Sequence, residues 1–166
     1  MFESGTVSMN KHRLDPVEIA GVFESCAYTS LRKASRVATS IFDQATESLG
    51  LKSTQLAILV SAAIHGPITI RELAEETVMD PSSLSRALPR LEEMGLIEKA
   101  VGESKRSRVV TVTDAGYAKI NEAVPIWQNV HAQMLNAVGP NEHQVLLDLL
   151  GKAAAMDGYG AQKDAP

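Results

Sequence analysis

Apolar residues recur at intervals of three and four along most of this chain, which is the spacing of helices that bury one face. The first such stretch opens with Asp15 as an N-cap and Pro16 in the first turn, and we expect one long helix from there to about residue 49. A helix of that length exceeds what a globular domain usually holds. A second subunit is therefore the expected partner for its apolar face.

The middle of the chain predicts a helix followed by two shorter helices joined by a tight turn. A helix over 53–65 ends at a Gly-Pro pair, and a T-x-x-E capping box at 69–72 opens the first short helix. Residues 76–79 form the turn, and the second short helix spans 80–95. Two short helices joined in this way are typical of a helix-turn-helix DNA-binding unit.

The helix over 80–95 has two chemically different faces. Leucine and alanine form a buried stripe, while the opposite face carries hydroxyls and guanidinium groups. Arginine matches guanine edges in the major groove, and serine reaches phosphates or bases. On this segment alone, an ordinary amphipathic helix with a solvated face competes with that interpretation. The candidate DNA-binding residues on this face are Ser82, Ser83, Ser85, Arg86 and Arg90.

Two β-prone runs, 96–101 and 109–112, flank a polar loop and predict a β-hairpin, or wing. The loop supplies three further candidate DNA-binding residues, Lys105, Arg106 and Arg108. Basic side chains at a hairpin tip suit the narrow minor groove of A·T-rich DNA. The alternative to this DNA-binding interpretation is an ordinary loop whose charges are solvated.

Two more helices are expected after the wing. Thr113 and Asp114 cap the first, which runs to about Val138 with a kink at Pro125. A Gly-Pro pair separates it from a last helix that ends near Met156. The predicted organisation is a flexible arm over 1–14, a dimerisation helix over 15–50, a winged helix-turn-helix over 51–113, C-terminal dimerisation helices over 114–157 and a flexible tail over 158–166.

Charge is distributed unevenly along the chain. The net charge of the 166 residues is −4, yet residues 81–110 hold six basic and four acidic side chains, a local excess of +2. From residue 114 onward three basic side chains face six acidic ones, a local excess of −3. Because nucleic acids respond to local charge, the overall negative charge does not exclude a DNA partner.

Composition and motifs limit which other classes of function the chain can have. Cys26 is the only cysteine, so no intrachain disulfide can form, and no apolar run approaches the length of a membrane span. We therefore expect a cytoplasmic protein. The chain carries no phosphate-binding glycine loop, nucleophile elbow or paired carboxylates, and its four histidines lack ligand spacing. An enzyme, a cofactor and a metal site are not expected.

The order of these elements resembles the MarR family of bacterial winged helix-turn-helix transcription regulators. The resemblance rests on GPITIRELAEETVMDPSSLSRALPRLEEMGLIEK, the wing and VTVTDAG, and it covers roughly residues 17–156. It implies a mainly α fold with a small β-hairpin wing, and a homodimeric repressor joined through its terminal helices. On that resemblance the serines and arginines named above line the recognition helix, and Arg106 is the wing arginine.

Two positions depart from the family pattern. Ser104 stands where the family usually has an aspartate two residues before the wing arginine, and Glu103 is the available substitute. Pro89 lies inside the recognition helix and removes one backbone N–H, so a local kink is expected there.

How DNA binding is switched is left open by the sequence. The family implies release by a small aromatic or phenolic ligand, or by oxidation of a cysteine near the start of the first helix. Cys26 is the redox candidate, although it lies two residues before the position of the peroxide-sensing cysteine, where Tyr28 stands. A buried, inert thiol is the alternative. For the whole protein, the alternative function is a winged helix that contacts other proteins without sequence-specific DNA binding.

Overall fold

A computed structural model describes residues 15–102 and 107–155. The chain divides into two compact units after Ser40, and the second helix extends across this division. The expected flexible arm and tail, together with Lys105, Arg106 and the positions just before them, lie outside the described residues.

The N-terminal segment forms two helices, α1 (Pro16–Glu24) and α2 (Ala27–Ala45), so the prediction of one long helix was wrong. Asp15 caps α1, as predicted, by accepting the N–H of Val17 at 2.9 Å. The Ser25 hydroxyl donates to two carbonyls of the last turn of α1, at 3.0 and 3.2 Å. A serine that bonds back to the helix in this way competes with continuation of the helix, which the apolar spacing could not reveal.

Three helices follow, α3 (Ser53–His65), α4 (Ile70–Glu76) and α5 (Pro81–Glu93), and they confirm the helices predicted for the middle of the chain. Both halves of the predicted capping box are present before α4. The Thr69 hydroxyl accepts the N–H of Glu72 at 3.2 Å, and the Glu72 carboxylate accepts the N–H of Thr69 at 3.0 Å. The helix-turn-helix thus begins where its local chemistry indicated.

The sheet has three antiparallel strands, β1 (Ile68–Thr69), β2 (Ile97–Val101) and β3 (Arg108–Val112), in the order β1-β3-β2. Strands β2 and β3 confirm the predicted wing, with Lys99 opposite Val110. Strand β1 was not predicted, because two residues are too few to show strand alternation. Ile68 also pairs with Val110, so the centre of the sheet is β3.

Two helices complete the described chain, α6 (Asp114–Val138) and α7 (Pro140–Ala154). Thr113 caps α6 as predicted, by accepting the N–H of Gly116 at 3.0 Å. Helix α6 continues through Pro125, and α5 continues through Pro89. Neither proline therefore ends its helix.

The core is formed by one face of each winged-helix element packed against the sheet. Its largest fully buried side chains are Leu56, Ile58, Leu59, Leu73, Leu84, Leu88, Leu91, Ile97 and Val110. The result is the predicted fold class, a mainly helical winged helix-turn-helix with a small sheet. None of the helices in the described part of the chain has both the length and the apolar content needed to cross a lipid bilayer.

Candidate nucleic-acid interface

The start of the candidate recognition helix α5 is fixed by hydrogen bonds to Asp80. Its carboxylate accepts the Ser82 hydroxyl at 2.5 Å and the N–H of Ser83 at 2.9 Å. The hydroxyls of Ser82 and Ser83, followed by that N–H, hold the pKa of Asp80 well below its ordinary value. Asp80 therefore caps the first turn of α5 as an ionised carboxylate.

The two arginines of α5 are exposed and make only weak contacts on the helix surface. Arg86 Nη2 donates to the Ser83 hydroxyl at 3.0 Å, and Arg90 Nη1 lies 3.6 Å from Glu93 Oε2. An exposed pair of this kind contributes little stability. Both guanidinium groups can exchange these contacts for a phosphate or a guanine edge at small cost.

The buried stripe of α5 sets which way its polar face points. Leu84, Leu88 and Leu91 are fully buried, and the five predicted residues of α5 lie outside that stripe. Four of them are exposed and Ser83 is half-buried. The structure therefore places these serines and arginines together along one accessible side of α5.

The wing is tied to the end of α5 by contacts at its base. The Thr113 hydroxyl donates to the carbonyl of Gly95 at 2.6 Å, and Lys99 Nζ lies 2.6 Å from Glu92 Oε2. These bonds join both hairpin strands to the C-terminal end of the recognition helix. Arg108 is exposed at the start of β3, with its Nη1 donating to the carbonyl of Ser107 at 3.2 Å. Among the predicted wing residues, only this arginine lies in the described part of the chain.

Val78, in the turn between α4 and α5, was missed by the sequence reasoning. Its φ is +51°, in the left-handed region that β-branched residues avoid. Its side chain is 94% exposed, the highest value among the exposed large apolar residues. The sequence held one signal of this conformation. Residues 76–79 were predicted to form a tight turn, yet they contain no glycine, the residue that such a turn favours.

Cys26, the redox candidate, lies between α1 and α2 rather than on the face of a long helix. Backbone N–H groups of Thr29 and then Tyr28, followed by the Thr29 hydroxyl, lower the pKa of its thiol. The side chain is only partly buried in the subunit. A lowered thiol pKa is a property of reactive cysteines, and the redox role of Cys26 stays a prediction.

A small apolar cleft of about 210 Å³ lies between α3 and α6. Trp127, which is 45% exposed, forms part of its wall and packs on Phe42 with ring centroids 5.0 Å apart. Among the described residues, no charged side chain contributes to the lining. The lining residues are Leu56, Val60, Ile120, Ala123, Val124, Trp127 and Gln128.

The terminal helices expose much of their apolar surface. None of the residues of α1, α2 or α7 is buried. The large apolar side chains exposed on these helices are Val17, Ile19, Val22, Phe23, Tyr28, Leu31, Val37, Ile41, Val145, Leu146, Leu147, Leu149 and Leu150. Exposed apolar surface of this extent is typical of an interaction site.

The chain is similar to several transcription regulators. The MarR family model matches residues 51–107. The HTH-type transcriptional repressor NicR of Pseudomonas putida is 27% identical over 128 residues, which cover 76% of this chain and 81% of NicR.

Two solved structures of transcription regulators resemble this fold closely. The M. tuberculosis transcriptional regulator MosR, in complex with DNA, is 28% identical with a TM-score of 0.68, over 80% of this chain and 99% of that chain. A MarR family transcriptional regulator from Silicibacter pomeroyi is also 28% identical with a TM-score of 0.68, over 85% of this chain and 92% of that chain. These likenesses extend beyond the winged helix into the flanking helices.

Proposed function

This chain belongs to the MarR family of winged helix-turn-helix transcription regulators and is a DNA-binding regulator, and we propose that it acts as a homodimeric repressor at a palindromic operator. The observation that carries the proposal is the accessible serine and arginine face of α5, oriented by its buried leucine stripe. Similarity to the repressor NicR supports repression as the mode of action.

The exposed apolar helices at both ends of the chain support the homodimer. A single subunit leaves α1, α2 and α7 without a buried residue, and a second copy can cover these faces. Two recognition helices related by a two-fold axis enter major grooves about 34 Å apart, which calls for two inverted half-sites.

Within each half-site we assign base reading to Arg86 and Arg90, and positioning on the phosphates to the serines of α5. The wing residues Lys105, Arg106 and Arg108 are proposed to enter the adjacent minor groove. Phosphate contacts make affinity depend strongly on salt, whereas base contacts make it depend on sequence.

The test is the substitution Arg86→Ala, measured on a duplex selected by the wild-type protein from random sequences at a stated salt concentration. A lost base contact is expected to cost about 1–3 kcal/mol on the selected duplex and little on random duplex. The matched control is Lys52→Ala, an exposed basic residue before α3 that lies outside α5, the wing and the terminal helices, with binding expected to stay unchanged.

Equal losses on selected and random duplex would reject base reading by Arg86. If the wild-type protein shows no salt-dependent binding to any duplex, the alternative function stands instead, a winged helix that contacts only proteins.

We further propose that a small aromatic or phenolic molecule releases the repressor by entering the cleft between α3 and α6. A cavity of about 150 Å³ can hold benzene, so the cleft of about 210 Å³ has room for one substituted ring. Trp127 forms an aromatic wall and the lining is uncharged. The cleft therefore favours binding of an uncharged aromatic ring and disfavours a charged substituent.

Oxidation of Cys26 is a second candidate for release. The lowered pKa of the Cys26 thiol and its partial exposure support it, because the thiolate is the form that reacts with peroxides. Oxidised sulfur at the start of α2 would change the capping of that helix.

One titration separates the two mechanisms of release. Operator binding is measured with increasing phenol or hydrogen peroxide, while the fluorescence of Trp127, the only tryptophan, is recorded. Release by phenol with a change in fluorescence supports the cleft. Release by peroxide that disappears in Cys26→Ser supports oxidation. A repressor that stays bound under both treatments contradicts both mechanisms.

A further inference from the structure

Val78 combines two unfavourable properties, a left-handed backbone conformation and an exposed apolar side chain. A β-branched residue with φ of +51° is strained, because its Cβ substituents crowd the backbone in the left-handed region. The side chain is 94% exposed, so burial in this subunit does not offset the strain.

The backbone around Val78 is held by its neighbours. The N–H of Val78 donates to the carbonyl of Glu75 at 3.1 Å, and the N–H of Met79 donates to the carbonyl of Ala74 at 2.9 Å. Asp80 then caps α5. These bonds determine the left-handed turn whatever side chain residue 78 carries, so asparagine or glycine would fit the same backbone with less strain.

The position of Val78 in the helix-turn-helix indicates what its side chain can meet. In this motif the first helix crosses the DNA backbone, and the N-terminal residues of the recognition helix reach base edges in the major groove. Val78 lies between those two helices, two residues before the N-cap Asp80. An outward side chain there lies at the rim of the major groove.

We propose that Val78 is a specificity-determining residue whose isopropyl group contacts the 5-methyl group of a thymine in each operator half-site. The thymine methyl is the one apolar group that base edges present in the major groove, and small apolar side chains recognise it. The proposal rests on the proposed function, because it requires that α5 enters the major groove. The contact forms only when DNA is bound. The proposal therefore gives the strained valine a role in binding and not in the stability of the free protein.

The test combines protein variants with a thymine scan of the selected operator. Each thymine is replaced in turn by deoxyuridine, which lacks only the methyl group. At one position per half-site, wild-type affinity is expected to fall about fourfold, the value of one buried methyl-sized group. Val78→Asn suits the left-handed backbone and removes the contact from both half-sites, so it is expected to bind the thymine operator about sixteenfold more weakly and to be insensitive to deoxyuridine at that position.

A second readout separates a binding role from a structural one. Val78→Asn relieves backbone strain, so its melting temperature is expected to rise while operator affinity falls. Val78→Thr keeps the β-branch and one methyl group, and is expected to retain part of the discrimination between thymine and deoxyuridine. A purely structural role would move stability and affinity in the same direction.

Two results would overturn the proposal. If Val78→Asn binds as tightly as the wild type, or responds to deoxyuridine as the wild type does at every position, Val78 does not read thymine. The proposed function survives that result as long as Arg86→Ala still loses sequence preference. If the wild type has no sequence preference at all, the proposed function and the role of Val78 fail together.

Discussion

The winged helix and the terminal helices are both rich in apolar residues, but they use them differently. The main buried cluster lies within residues 51–113, apart from Leu49 and Ala123. None of the residues of α1, α2 and α7 is buried in the single subunit. Apolar spacing shows that a helix has a face to cover, but the spacing alone does not show which molecule covers it.

This difference assigns separate tasks to the two regions. The winged helix holds its own core, so the orientation of the α5 surface is determined within one subunit. The terminal helices leave apolar surface exposed, and we propose that a second copy covers it. Substitutions of the same chemical kind should therefore have different consequences in the two regions.

The largest contrast is expected between two leucine truncations. Leu84, on α5, is 0% exposed and Leu84→Ala leaves a cavity in the winged-helix core. The free energy of unfolding is expected to fall by about 2–5 kcal/mol, measured by urea denaturation at a fixed protein concentration.

Leu149→Ala is the matched truncation on α7, where the side chain is 57% exposed. Truncation of an exposed leucine changes the stability of the subunit by less than about 0.5 kcal/mol. If a second copy covers α7, the dimer dissociation constant should rise roughly tenfold in sedimentation equilibrium. An unchanged dissociation constant would place the dimer interface elsewhere.

A smaller contrast is expected between two glycines. Gly116, at the start of α6, lies against the sheet so closely that an added Cβ would overlap the Leu96 carbonyl oxygen and lie 2.6 Å from Val112 Cγ1. Gly116→Ala should lower the free energy of unfolding by about 1–3 kcal/mol, because this junction has no room for a methyl group. Thermal unfolding measures the loss.

Gly151→Ala is the control on α7, where an added Cβ has nothing within 4 Å. Alanine forms helices better than glycine, so this variant should be stabilised by about 0.5–1 kcal/mol. A loss of stability at Gly151 would show that the partner subunit packs against this position.

Much of the fold could be predicted because the informative contacts are local. The caps at Asp15, Thr69, Asp80 and Thr113 each bond to a backbone N–H two or three residues away, so the residue types alone indicated where helices begin. The five candidate residues of α5 were likewise assigned to one face by the leucine spacing. Their roles in DNA binding remain predictions until the variants are measured.

The sequence-based predictions were wrong where the structure involves contacts that apolar spacing does not reveal. At the break between α1 and α2 the Ser25 hydroxyl donates back to α1, a contact that leaves the apolar spacing unchanged. The environment of Cys26 changes with it, from a helix face to a helix N-terminus. The wing residues Lys105 and Arg106 remain sequence predictions, since they lie outside the described residues.

The amino-acid sequence by itself determined the helix starts capped by Asp15, Thr69, Asp80 and Thr113, the wing and the polar face of α5, because those features arise from interactions within a few residues. Only the tertiary structure decided that Ile68 pairs with Val110, more than forty residues away, and that Thr113 ties the wing to Gly95. It also decided that Val78 takes a left-handed backbone with its side chain outside. Such features depend on the packing of distant segments, which local propensity does not encode.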